Sequence, residues 1–186
     1  MAERVCPVWI GYLLACPLRR LLQNPKKILS PHVRPDQTIL EIGPGMGFFS
    51  LPMAKMVGPG GKVVCVDLQP RMLEGLRGRA QKAGLADRIE TRLCTEDSLS
   101  IDDLAGRIDF ALAFAVVHEV PDPKGLFSQI HQVLKPGASC LVAEPNGHVS
   151  AEDFRGMVSM VQTHGFDVAD RPQIRGSLAV VLRRGQ

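Results

Sequence analysis

The sequence predicts a doubly wound α/β domain: a mostly parallel, seven-stranded sheet with helices on both faces. Three observations carry that prediction. Short apolar or β-branched runs alternate with segments of helical spacing from Thr38 to Leu182, and alternation of this kind builds a parallel sheet covered by helices. Residues 109–117 (DFALAFAVV) form one continuous apolar run, as in a strand buried on both faces. The 186 residues suffice for one domain with a real core. Right-handed crossovers then place the first strand centrally.

The elements follow in order. Residues 38–42 (TILEI) form a short apolar strand. Residues 47–56 bring Phe48, Leu51, Ala54 and Met56 to helical spacing, and Gly58-Pro59-Gly60-Gly61 stops them. Residues 62–67 (KVVCVD) are a β-branched strand. Pro70 opens a helix at its first turn, where a missing N–H costs nothing. Met72, Leu73, Leu76 and Ala80 give that helix an apolar face, and Gly84 ends it. Residues 89–94 read as the third strand and 109–117 as the fourth. Residues 123–134 are helical until Lys135-Pro136-Gly137 breaks the pattern, and 138–144 are a fifth, buried strand. Residues 151–164 form a helix with Phe154, Met157, Val158 and Val161 on one side. Residues 166–169 and 177–182 are the last two strands, with Gly165 and residues 171–176 as turns. Residues 1–37 stand apart as an N-terminal helical segment ahead of the main domain at 38–186.

Composition narrows the function classes. The chain is 45% apolar and 22% charged, which is ordinary for a globular protein and argues against disorder. A net charge of +3 is too weak to imply nucleic acid or an anionic membrane. The 5 cysteines are scattered, without C-x-x-C spacing, so neither a disulfide framework nor a zinc site is signalled. Cys65 and Cys140 lie in apolar runs, where a free thiol is a small buried hydrophobe. Reduced thiols fit a cytoplasmic protein. Residues 5–18 are mostly apolar but shorter than the ~20 residues that span a bilayer. Leu13-Leu14-Ala15-Cys16 has the look of a lipoprotein cleavage site, yet Glu3 and Arg4 cancel, and Pro7 and Trp9 interrupt the apolar stretch.

The chemistry gathers at residues 38–54, TILEIGPGMGFFSLPMA. Gly43, Gly45 and Gly47 let backbone approach a ligand closely, and the helix that follows offers free N–H groups. The spacing is not that of a dinucleotide turn, G-x-G-x-x-G, because Phe48 stands where the third glycine belongs. It is not a phosphate-binding Walker loop either, since no lysine follows in the required place. Glu41, two residues before Gly43, would repel a pyrophosphate but favour a cation. Asp67 closes the second strand, and a carboxylate there can accept bonds from both hydroxyls of a ribose. Together these residues call for a nucleoside with a positive, phosphate-free arm.

On these motifs the chain resembles the class I S-adenosylmethionine-dependent methyltransferases, in their small-molecule (type 11) branch, over nearly its whole length. The matching stretches are ILEIGPGMG at 39–47, VVCVD at 63–67, IDFALAFAVVHEV at 108–120 and LKPGA at 134–138. The resemblance implies a Rossmann-like fold and S-adenosyl-L-methionine as cofactor. It implies that Glu41, Gly43, Gly45 and Gly47 line the methionine portion and that Asp67 holds the ribose. Leu68 would lie against adenine, and Phe114 and Ala115 would contact the cofactor from the fourth strand. Many relatives carry Asp after the third strand to bond the adenine amino group. Here that place falls on Thr95, followed by Glu96, and either residue can serve.

A sulfonium methyl is already activated, so transfer depends mostly on holding the nucleophile at attack distance. A base is needed only if the acceptor carries a proton. His118, Glu119 and Glu144 are the catalytic candidates, with Asn146 and His148 nearby in sequence. Each has a bland alternative. His118 can orient the next loop, Glu119 can cap the helix after Pro121, and Glu144 can be a solvated loop carboxylate. Glu41 can be a carboxylate satisfied by loop amides. His131 and His164 read as structural.

The expected partner is a small-molecule acceptor, with no nucleic acid: residues 115–120 (AVVHEV) lack the N-P-P-Y-like run of DNA adenine methyltransferases. Protein and RNA acceptors stay open. Trp9, Tyr12, Leu13, Leu14, Leu18, Leu21 and Leu22 precede or flank Arg19-Arg20 and Lys26-Lys27. They suggest a lid, a homodimer contact or a transient membrane-surface contact, against an ordinary outer helix. A sulfonium-cofactor sensor without catalysis, or a partner-binding module, is the alternative reading. A nicotinamide-dependent oxidoreductase is a further one, opposed by the glycine spacing and Glu41. Cys6 and Cys16 resemble the thiols of metalloid methyltransferases but carry no ligand spacing.

Overall fold

The computed structural model describes residues 23–185. The proposed lid residues Trp9 to Leu22, and Cys6 and Cys16, lie outside the described residues. The chain divides after Cys94 into two compact units.

The first unit opens with α1 (Pro25–Leu29), whose N-cap Asn24 accepts the Lys27 amide at 3.2 Å. It continues through β1 (Thr38–Ile42), α2 (Ser50–Val57), β2 (Lys62–Asp67), α3 (Pro70–Lys82) and β3 (Ile89–Leu93). The strands lie in the order β3-β2-β1, all parallel, with Thr38 level with Lys62 and Val63 level with Ile89. β1 and β2 are buried at nearly every position. Successive side chains point to opposite faces of a strand, so both faces are covered. Met72, Leu73, Leu76 and Ala80 are the buried stripe of α3, at the spacing the sequence sets.

The second unit contains β4 (Ile108–Phe114), α4 (Pro123–Val133), β5 (Leu134–Pro145), α5 (Ala151–Gln162), β6 (Phe166–Asp170) and β7 (Ser177–Arg184). Its strand order is β4-β5-β7-β6. β4 and β5 are parallel, whereas β7 is antiparallel to both β5 and β6. Parallel pairs need a crossover such as α4, while β6 reaches β7 by a short turn. The seven strands form the mostly parallel, Rossmann-like sheet that the sequence predicts. Cys65 and Cys140 are free and wholly buried, and burial pushes the Cys140 thiol up to about 12. Among the described residues no helix is long and apolar enough to cross a membrane.

Most boundaries shift by one or two residues from the sequence reading, and the larger departures have physical causes. The helix after the glycines starts at Ser50 rather than residue 47, because Gly47 holds a φ of 86° that a right-handed helix does not contain. β4 stops at Phe114, three residues early, because Ala115 turns left-handed at φ 56°. Lys135-Pro136-Gly137 does not interrupt β5. The ladder steps from Ile108–Leu134 to Phe110–Ser139, so the extra residues bulge out of a continuing strand, with Gly137 at φ 74°.

Gly61 and Gly78 test opposite roles of glycine. A Cβ on Gly61 would stand 2.5 Å from Val57 Cβ and 2.8 Å from the Gln37 carbonyl, whereas one on Gly78 would meet nothing within 4 Å. Gly61→Ala is expected to lower unfolding free energy by about 1–3 kcal/mol through overpacking. Gly78→Ala, inside α3, is expected to raise it by about 0.5–1 kcal/mol. Urea unfolding of both variants checks the pair.

Candidate functional site

In the first unit the candidate side chains gather at the carboxyl ends of β1 and β2. Past Ile42 the chain runs through Gly43, Gly45 and Gly47 at φ 64°, 52° and 86°. A residue with a Cβ loses about 1–2 kcal/mol in that region. The Gly43 amide donates to the Val66 carbonyl at 2.9 Å, which ties the loop to β2. The glycines then serve different ends. A Cβ on Gly45 would enter open space, so the backbone there is accessible. A Cβ on Gly47 would stand 2.5 Å from Leu76 Cδ1, so that glycine admits the helix packing beneath. Phe48, which breaks the dinucleotide pattern, is buried.

Glu41 is shut off from water at 3% exposure. Its Oε2 accepts from Ser50 Oγ at 2.5 Å and from Cys65 Sγ at 3.7 Å. Burial pushes its carboxyl up to about 7, against the pull of those hydrogen bonds. Its partners are a hydroxyl and a thiol, not the loop amides that the bland reading supposed. Ser50 escaped the sequence reading, since a serine opening a helix looks like a cap.

Asp67 ends β2 with 8% exposure. Its Oδ1 accepts the Gln69 amide at 2.9 Å and its Oδ2 accepts the Gly45 amide at 3.3 Å. Burial raises its pKa, and the amides of Gln69, Gly45 and Leu68 oppose the rise. Leu68 is half-buried. Leu93 stands level with Asp67 in the parallel ladder and is 55% exposed. Residues paired in a ladder point to one face, so an apolar surface lies beside the carboxylate. The sequence offered no sign of it, because one leucine at a strand end is ordinary until its exposure is known.

In the second unit Thr95 and Glu96 are exposed. Thr95 closes a short turn, its amide donating to Ser98 O at 2.9 Å and its Oγ1 accepting the Ser98 amide at 3.2 Å. Phe114 is buried at the end of β4, and the Ala115 amide donates to Ala143 O at 2.7 Å. The left-handed turn at Ala115 delivers the next two amides to Glu144. Val116 and Val117 donate to its Oε1 at 3.2 and 2.9 Å, while its Oε2 pairs with His118 Nδ1.

Glu144 is 2% exposed, which overturns the solvated-loop reading. It is also Glu144, not His118, that orients the backbone here. The Glu144 hydrogen bond raises the His118 pKa against desolvation, with help from the Glu144 and Glu119 charges. A carboxylate oxygen accepts, so His118 donates through Nδ1 to Glu144, which leaves Nε2 for other partners. That Nε2 is 3.4 Å from His148 Nδ1 and 3.9 Å from Glu119 Oε1. The helix after Pro121 takes Asp122 as its N-cap residue, and Glu119 ends the short turn Val117–Glu119. Asn146 is exposed, its amide donating to Gly176 O at 3.2 Å. His131 packs edge-on against Phe166, and His164 bonds the Met160 carbonyl at 2.8 Å, both as structural residues.

A methyltransferase-domain family model matches residues 34–173. An arsenite methyltransferase of Halobacterium salinarum is 30% identical over 65% of this chain and 30% of its own length. A ubiquinone biosynthesis O-methyltransferase of Methylocella silvestris is 30% identical over 77% of this chain and 54% of its own length. The chain thus spans about a third to a half of these curated relatives. The crystal structure of a SAM-dependent methyltransferase from Aquifex aeolicus superposes with a TM-score of 0.85, covering 96% of this chain and 98% of that one at 23% identity. The two share a fold.

Glu41 predicts a pH dependence. Its carboxyl holds a proton in the folded chain up to about 7, against an ordinary value of 4.5. Between those values the folded state binds more protons than the unfolded state, so stability falls as pH rises through that window. Glu41→Gln, which keeps an acceptor for Ser50, is expected to flatten that slope and to be the more stable protein at pH 8. Unfolding free energies measured from pH 4.5 to 8 check it.

Proposed function

Because the chain belongs to the methyltransferase-domain family, we propose that it transfers the methyl group of S-adenosyl-L-methionine to a small-molecule acceptor. The observation that carries this reading is the joining of the Gly43–Gly45–Gly47 loop to Asp67. Accessible left-handed backbone at Gly45 is held by the same carboxylate that a ribose would use.

The residues present fit that cofactor. A carboxylate offers about four lone-pair sites, and the bonds from Gln69 and Gly45 leave acceptor capacity on both Asp67 oxygens. Gly45 gives backbone without a side chain in the way. Leu68 and Leu93 supply apolar surface next to Asp67 for the base. Glu41 acts by anchoring Ser50, at the start of α2, to β1. By family resemblance Phe114 and Ala115 face the cofactor, and Thr95 or Glu96 bonds the adenine.

Bound S-adenosylmethionine supplies a methyl group on a positively charged sulfur. The chain's own work is to seat the donor, keep water away and set the acceptor in line. The curated relatives named for arsenite and for ubiquinone biosynthesis support a small acceptor.

Calorimetric titration with S-adenosylmethionine, S-adenosylhomocysteine and NAD tests the donor. Binding of the first two and not of NAD is expected, and tight NAD binding with no response to S-adenosylhomocysteine overturns the proposal. Asp67→Ala is expected to weaken both ligands about 10- to 100-fold, the worth of hydrogen bonds to a charged group. Transfer of labelled methyl into a cell extract, resolved by mass, separates an enzyme from a sensor and identifies the acceptor.

A further inference from the structure

A cavity of about 230 Å³, with apolar walls at Val149, Phe154 and Met157, adjoins His118 and His148 in the second unit. A larger groove, of about 430 Å³, shares the Phe154 wall and carries different chemistry. It opens where the ladder of β5 and β7 reaches its last pair, Pro145 level with Ser177. Past that pair the Asn146 amide donates to the Gly176 carbonyl at 3.2 Å, and the Ser177 amide donates to the Ile174 carbonyl at 3.0 Å. These bonds fix the β6–β7 connection beside the segment that leads from β5 into α5. The volume falls in the range of small-ligand sites.

The groove has charge of one sign. Among the described residues its charged lining side chains are Arg155, from α5, and Arg171, just past β6, and no acid lines it. Within the described residues no ion pair or side-chain hydrogen bond takes either guanidinium. The acids nearest in sequence have local partners in two cases out of three. Asp170 accepts the Arg171 amide at 2.7 Å, and Asp153 accepts from Ser150 Oγ at 2.7 Å, while Glu152 is exposed. Two cations that share a groove repel each other, and a bound anion relieves that repulsion. Phe154, Pro172 and Leu178 give the same groove an apolar wall.

We infer that this groove binds a small organic acid, with its carboxylate on Arg155 and Arg171 and its apolar body on Phe154, Pro172 and Leu178. The site lies within the second unit and needs neither the methyl donor nor the glycine loop. A guanidinium is a planar fork of donors that matches a carboxylate with two parallel N–H bonds. An inorganic anion would use the arginines and leave the apolar wall wet, forgoing the gain from its burial. A nucleic acid draws its affinity from neutralising several phosphates along a run of cations. Here Glu152, Asp153 and Asp170 are exposed close in sequence to the two arginines, and they oppose a polyanion.

The probe is 4-phenylbutyrate. Its uncharged counterpart is 4-phenylbutyramide, and inorganic phosphate is the anion without a body. Each is titrated into the full chain at low salt, followed by calorimetry and by the backbone amide shifts of residues 146–155 and 171–178. Saturable binding of 4-phenylbutyrate by millimolar concentration is expected, with the largest shifts in those segments. The amide and phosphate are each expected to bind about tenfold more weakly or worse. Arg155→Gln and Arg171→Gln, both at exposed positions, are expected to weaken 4-phenylbutyrate about tenfold each, the worth of a hydrogen bond to a charged group, with no change in melting temperature. Arg183→Gln removes an exposed charge at the far end of β7 and is expected to leave binding as it was. Lack of saturation, equal binding of the amide, or undiminished binding in both groove variants overturns the proposal. Phosphate binding as tight as that of the acid also overturns it, because the apolar wall then contributes nothing.

Discussion

A carboxylate taken out of water has to be given hydrogen bonds, and this constraint shapes the loops that follow the strands. The buried acids among the described residues are Glu41, Asp67 and Glu144, at 3%, 8% and 2% exposure. All three stand in the carboxyl-terminal halves of strands β1, β2 and β5. Unpaired, each would cost several kcal/mol. Apart from Cys65 within β2, the donors come from the segments just beyond the strands: Ser50 for Glu41, Gly45 and Gln69 for Asp67, and Val116, Val117 and His118 for Glu144. No buried side-chain nitrogen or oxygen among the described residues lacks a partner.

Meeting that constraint bends the chain out of ordinary conformations. Gly43, Gly45, Gly47 and Ala115 all take positive φ, and each lies within a few residues of an amide or hydroxyl that serves a buried acid. Glycine takes this conformation without loss, so three of the four positions are glycine. Ala115 is the exception. Its Cβ costs about 1–2 kcal/mol there, and the turn it makes delivers two amides to one Glu144 oxygen. Strain of this kind persists where the surroundings over-determine it, and it concentrates at functional sites.

The two units carry different kinds of chemistry. The first offers mainly backbone: an accessible glycine loop, two strand-end carboxylates and a little apolar surface. It is this loop that the proposed function makes the seat of the methyl donor. The second offers side chains: an imidazole held by a buried acid, a second imidazole and an apolar cavity. Side chains vary without disturbing a strand, which is how a shared fold comes to host many reactions. Relatives named for arsenite and for ubiquinone biosynthesis are consistent with that division.

The sequence by itself determined the element order, the mostly parallel sheet and the left-handed glycine loop after the first strand. Those features depend on local signals. Apolar periodicity, Pro70 at a helix start and Gly43-x-Gly45-x-Gly47 each act within a few residues. The sequence also named His118 and Glu144, but it left their roles open. Only tertiary structure decided that Glu144 is buried and that His118 Nδ1 faces it, because the two lie 26 positions apart and meet through the pairing of β4 with β5. Ser50 as the partner of Glu41, and Leu93 as exposed surface beside Asp67, were hidden for the same reason. A hydrogen-bond partner or an exposed face is set by which strands lie side by side, and that information is not local to any stretch of the chain.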